Sequence, residues 1–194
     1  MTALLVFVLV LIFSSKLIKF IENKINSKFN SEYVKYGFLS RYYLSSRFTD
    51  REFQEWCKYF LKNMHYRNLK NVSENFEGGI SFISTNNKNP TYISTRLYQL
   101  KDSEKNKQKK NVDDSYKAIG RPEVQKFVGA LVHDRVKSGV IITTGDFTQE
   151  AIEYVRSLPK DYLIVLIDGA ALTKELRKIR KREITSRVAS GLIG

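Results

Sequence analysis

The chain has 194 residues, room for one domain of ordinary size plus an appendage. Its 42% hydrophobic content can fill a core, and 3 Pro with 10 Gly argue against a largely disordered polymer. The 33 Lys and Arg against 20 Asp and Glu leave a net charge of +13, which favours polyanionic partners: nucleic acid or an anionic membrane face. One cysteine, Cys57, excludes an internal disulfide, and with only His65 and His133 beside it a zinc site would need carboxylates to join, so none is expected.

The chain opens with MTALLVFVLVLIFSS, which has no charged side chain, and the apolar pattern continues through Leu17, Ile18, Phe20 and Ile21. Fifteen helical residues at about 1.5 Å each fall short of the ~30 Å hydrocarbon core. Some twenty suffice if Lys16 and Lys19 snorkel to the interface. A cleaved signal would want a basic residue ahead of the run and a small-x-small site behind it, and neither is present. The cations follow instead, at Lys16, Lys19, Lys24 and Lys28. Residues 1–21 are therefore expected to be a single-pass anchor in the cell membrane, with the body facing the cytoplasm. A cleaved signal and an interfacial helix are the rivals. Residues 22–48 are basic and Tyr-rich without a clean period, and are expected to be a juxtamembrane spacer.

From Thr49 the patterns sharpen. Phe53, Trp56, Cys57, Phe60, Leu61 and Met64 recur at helical spacing, with Thr49 or Asp50 as the cap. Tyr66 to Val72 reads as a weak strand, and Ile80 to Ser84 and Tyr92 to Tyr98 as two better ones around a polar turn. KDSEKNKQKKN, Lys101 to Asn111, has no apolar residue and is expected to be a solvated loop. The last third alternates helices and strands. Glu123 to Val136 is helical, with Val124, Phe127, Val128, Leu131 and Val132 on one side. Val140 to Thr143 is a strand, and Asp146 with Gln149 suits a capping box for the next helix. Tyr162 to Ile167 reads as a strand buried on both faces, and a final helix starts near Gly169. Helices interleaved with buried strands imply a layered α/β fold with some parallel pairing.

The order of elements and several short motifs resemble the Mrr-type restriction endonucleases, a branch of the restriction-endonuclease-like nuclease superfamily. The resemblance spans Thr49 to Leu176 and is strongest over GVIITTGDFTQEAIEYVRSLPKDYLIVLIDGAAL. There Thr143, Thr144, Phe147, Thr148, Ala151, Leu166, Ile167, Asp168 and Gly169 match the family pattern in order and spacing. It implies a three-layer α/β core with a mixed central sheet over residues 49–176, followed by a basic tail at 177–194. The family's centre has a Glu in the first helix, Gly-Gly-x-Asp at the second strand and Gln-x-Lys on the third. Here those positions fall on Gln54, on Gly78, Gly79, Ile80 and Ser81, and on Ser94, Thr95 and Arg96.

Mg²⁺-dependent phosphodiester hydrolysis needs carboxylates around the ion. A serine hydroxyl and a glutamine amide are poor substitutes, and Arg96 does not exchange protons at ordinary pH. Neither cofactor nor metal is thus expected, nor a small-molecule substrate. Three readings follow. The first is a membrane-anchored, catalytically degenerate domain binding DNA through Arg96, Lys101, the loop cations Lys105, Lys107, Lys109 and Lys110, and the tail cations Arg177, Lys178, Arg180, Lys181 and Arg182. The second is an active Mg²⁺-dependent endonuclease with a relocated centre, using Glu77 and the shifted pair Gln99 and Lys101; the shift is odd, so a bulge must restore the facing. The third is a membrane-associated interaction scaffold whose basic tail lies on anionic lipid.

Overall fold

This computed structural model describes residues 14–19, 36–72, 79–86, 89–99 and 117–189. Met1–Phe38 and Leu39–Gly194 are separate compact units. In the first, residues 14–19 are helical, and the rest of the expected anchor lies outside the described residues. No helix among the described residues is long and apolar enough to cross a membrane.

The second unit runs α1 (Arg41–Arg47), α2 (Asp50–Asn63), β1 (Lys70–Asn71), β2 (Phe82–Asn86), β3 (Asn89–Arg96), β4 (Ala118–Ile119), α3 (Arg121–His133), β5 (Ser138–Thr143), β6 (Asp146–Phe147), α4 (Gln149–Arg156), β7 (Leu163–Ile167) and α5 (Gly169–Ala189). The main sheet has the order β1-β2-β3-β5-β7. β2 is antiparallel to β1 and β3, whereas β3, β5 and β7 are parallel. β4 and β6 form a separate parallel pair. The sheet is mixed, as expected, and β3 is the strand where the pairing changes direction.

α1, α2, α4 and α5 begin where the sequence supplies a side-chain acceptor. Thr49 and Glu52 exchange hydrogen bonds in a capping box on α2. Asp168 Oδ1 accepts the Ala171 N–H at 2.7 Å and starts α5. The α4 cap differs from the expected one. Thr148 accepts from Ala151, because the Asp146 carboxylate is taken by Arg41 and Gln149 turns to Glu153.

Strand alternation sorts the helices onto two faces. Tyr92 and Gly139 are cross-strand partners, and a side chain added at Gly139 would meet Phe127 and Leu131, so α3 covers that face. Tyr92, Ile141, Val124, Phe127, Val128, Leu131 and Ala151 form its core. Phe82 and Ile93 point the other way, and Lys58 of α2 lies over the Phe82 ring. On that side Phe53, Trp56 and Phe60 are buried and stack at 5.8 and 5.4 Å. Each such burial is worth roughly 1.5–3 kcal/mol. α5 buries Leu172, Leu176 and Ile179 there, and Arg182 donates to the Asn63 carbonyl at the end of α2.

Three sequence expectations change. Residues 39–48, expected in the spacer, belong to the second unit: Leu44 is fully buried. Arg41 Nε donates to the Thr144 carbonyl at 2.7 Å and its Nη2 to Asp146 at 2.9 Å. Gly169 is small because Arg41 lies against it, where a Cβ would collide with the guanidinium. β7 is an edge strand rather than one buried on both faces, and Leu163 and Val165 stay exposed. Val132 is exposed as well, since its neighbour Leu131 takes the core direction. The basic tail is helical to Ala189.

The Tyr92 hydroxyl donates to Asp134 Oδ2 at 2.7 Å. Burial first, then the hydrogen bond and charge of Asp134, push its phenol from 10.0 to about 12. The folded chain keeps this proton where the unfolded chain loses it. The contribution is whole below pH ~10 and is lost as pH rises through about 12. Urea unfolding between pH 9 and 11 should show stability falling more steeply in the wild type than in Tyr92→Phe; parallel curves would contradict this.

Candidate functional site

The end of β3 carries the positions at issue. Ser94 and Arg96 alternate with Tyr92 onto the α3 face, while Thr95 follows Ile93 onto the α2 face. On the neighbouring strand, Phe82 is the partner of Ile93, yet the Ser81 N–H also donates to the Ile93 carbonyl at 2.8 Å. Two residues oppose one, which is a β-bulge, and alternation is interrupted there. Ser81 is turned to the Thr95 side. Its Oγ accepts the buried Thr95 N–H at 3.1 Å and lies 2.8 Å from Thr95 Oγ1. The bulge thus separates Ser81 from Ser94 and Arg96.

Ser94 Oγ donates to the Gly79 carbonyl at 2.8 Å. Gly79 has φ +69°, a conformation that side chains rarely adopt, and the Arg96 guanidinium lies where its Cβ would be. Arg96 Nη1 donates to the Thr95 carbonyl at 3.2 Å and the group stays half-buried. Burial pushes the neighbouring Tyr98 phenol up, Glu123 adds to this and Arg96 opposes it. Arg96, Tyr98 and Glu123 therefore share one electrostatic neighbourhood.

The other candidates are dispersed. Gln54 is half-buried on α2. Gln99 lies beyond the end of β3, and its Nε2 donates to the Phe48 carbonyl at 2.9 Å, across the α1–α2 junction. Glu77, Lys101, Lys105, Lys107, Lys109 and Lys110 lie outside the described residues. Arg177, Lys178, Lys181 and Arg182 are exposed on α5, with Arg180 half-buried beside them. α5 covers the face opposite Arg96, so the tail cations and Arg96 do not make one surface.

A magnesium ion would need several anionic oxygens converging on it. Among the described residues no three His, Cys, Asp or Glu side chains come together. Ser81 is held by Thr95, Ser94 by Gly79, and Arg96 puts a cation beside them. The described residues at these positions do not fit the ion.

Several motif residues of the last third make local structural contacts. Thr143 Oγ1 accepts from Gly145 N at 2.9 Å, Thr144 Oγ1 accepts from Tyr98 N at 2.8 Å, and Ala151 is fully buried. Thr148 and Asp168 are helix caps. Sequence reasoning missed Arg41 and Thr95. Arg41 stands in a stretch without periodicity, and the role of Thr95 depends on a bulge that no propensity marks.

Comparison with known proteins gives two matches. The Mrr_cat family, described as restriction endonuclease, matches residues 45–176. The type IV methyl-directed restriction enzyme EcoKMrr of Escherichia coli (strain K12) is 44% identical over 54 residues. That match covers 28% of this chain and 17% of the enzyme.

The bulge makes a specific demand at Ser81. Ser81→Ala strips the buried Thr95 N–H of its acceptor and should cost about 1–3 kcal/mol in urea unfolding. Ser81→Asp should cost more, and increasingly so from pH 4 to 7, because a carboxyl desolvated there holds its proton above the usual range. An aspartate variant as stable as wild type that also binds Mg²⁺ by calorimetry would sink this account.

Proposed function

The chain belongs to the Mrr restriction endonuclease family, and from that premise we propose that it is a membrane-anchored nuclease-fold domain that binds DNA without hydrolysing it. The observation that carries the reading is the end of β3, where Ser81 and Ser94 satisfy backbone groups and a guanidinium lies over Gly79. Hydrolysis would need that space for carboxylates and a metal-bound water. Recognition of a phosphate needs only a positive, hydrogen-bonding group, and Arg96 supplies one in a form suited to bidentate contact.

Arg96 anchors the DNA-facing surface in this reading. The cations Lys101, Lys105, Lys107, Lys109 and Lys110 follow β3 in the chain and are the further phosphate contacts of this reading. Such contacts neutralise phosphates and release counterions, so they carry affinity rather than sequence choice. The apolar run of residues 1–21, with its trailing lysines, supports anchoring with the domain on the cytoplasmic side. The name of the Escherichia coli enzyme marks it as methyl-directed, which makes methylated duplex the first DNA to try.

The test uses the full chain in detergent micelles. Gel shifts with methylated and unmethylated duplex should show binding that weakens about tenfold or more between 50 and 200 mM salt. Arg96→Ala should weaken it roughly tenfold. Supercoiled plasmid with Mg²⁺ or Mn²⁺ at protein excess should stay intact. Cutting that disappears in Glu77→Ala would replace this reading with the relocated active centre. Absence of binding at low salt would replace it with an interaction module.

A further inference from the structure

We propose that the outer face of α5 is a second membrane contact, one that docks on anionic phospholipid headgroups. α5 is 21 residues long, about 30 Å. Its last fully covered apolar side chain is Ile179, and the helix continues about three turns beyond it to Ala189. At 100° per residue, Arg177, Lys181, Ile184 and Val188 fall on one stripe facing away from Leu176 and Ile179, with Lys178 and Thr185 on its flank. The stripe changes character along its length. Cations come first, then Ile184 and Val188, which are 44% and 55% exposed. From Val188 to Gly194 the sequence has no charged side chain.

Over its whole length α5 carries seven Lys and Arg and two acids, Glu175 and Glu183. Glu175 pairs with Lys178 at 2.6 Å and Arg182 is held by the Asn63 carbonyl. Charge complementarity therefore selects a polyanion, and the apolar pair selects between polyanions. A DNA backbone offers Ile184 and Val188 nothing to bury in, whereas a bilayer places headgroup phosphates and acyl chains within one or two helical turns of each other. The position of α5, on the face of the sheet opposite Arg96, leaves the proposed DNA surface clear. This inference stands whether or not the domain binds DNA.

The experiment uses the full chain with Thr185→Cys carrying an environment-sensitive nitrobenzoxadiazole label; Cys57 is fully buried and does not compete. The protein is reconstituted in phosphatidylcholine vesicles with and without about 30% phosphatidylserine. The expected result is a blue-shifted emission with phosphatidylserine, quenched by lipids spin-labelled near the headgroup, and a water-like emission without it. Arg177→Glu with Lys181→Glu should weaken the response on the order of tenfold or more, at roughly fivefold per cation. Ile184→Ser with Val188→Ser should remove the shift while leaving the circular dichroism unchanged. Identical emission in the two lipid mixtures overturns the proposal. So does a shift produced in detergent by duplex DNA, or by raising protein concentration alone.

Discussion

A buried backbone N–H has to find an acceptor, and at the end of β3 that acceptor is the hydroxyl of Ser81. Much of the site follows from it. The bulge that brings Ser81 to Thr95 spoils alternation, so Ser81 leaves the face on which Ser94 and Arg96 lie. Ser94 in turn donates to Gly79, whose left-handed backbone and missing Cβ make room for the Arg96 guanidinium. Hydroxyls here hold the strand ends together. The same small groups that fail as metal ligands succeed as local hydrogen-bond partners, because a neutral Oγ is inexpensive to bury and a carboxylate is not.

A second constraint acts from the start of the domain. Arg41 reaches from α1 to the Thr144 carbonyl and the Asp146 carboxylate, with its side chain 11% exposed. It meets the C-terminal end of the parallel strands, where α/β sheets commonly place their ligands. A helix that lies just after the first unit is thus fastened to the loops that follow β5. The fastening also explains why Gly169 opens α5 and why the α4 cap moves to Thr148.

The two faces of the sheet divide the positive charge. Arg96 stands with Tyr98 and Glu123 on the α3 side, while the dense cations of α5 lie on the α2 side. Charge counted along the chain merges these into one basic protein. In space they are two surfaces with different companions: a half-buried guanidinium against glycine backbone, and an exposed helix whose cations lead into Ile184 and Val188.

Periodicity in the sequence was sufficient for the layered α/β class, the α2 stripe from Phe53 to Leu61 and the strands β5 and β7, because these depend on local spacing and burial averaged over many residues; the family resemblance, and the mixed sheet it implied, came from short motifs in their order. That the family's two carboxylate positions hold Gln54 and Ser81, and its Gln-x-Lys positions Ser94 and Arg96, was equally legible, since it is a matter of residue identity. Facing was not. Whether Ser81 looks toward Arg96 or Thr95 turns on one extra residue in a strand, and one residue reverses every side chain. The role of Arg41 and the exposure of Leu163 and Val165 were also decided in three dimensions, by which strand ended at the edge of the sheet and which loop lay within reach of a long side chain. Composition specified which chemistry was available; the tertiary structure decided which groups meet, because contact between residues far apart in the chain depends on register and topology that no short stretch encodes.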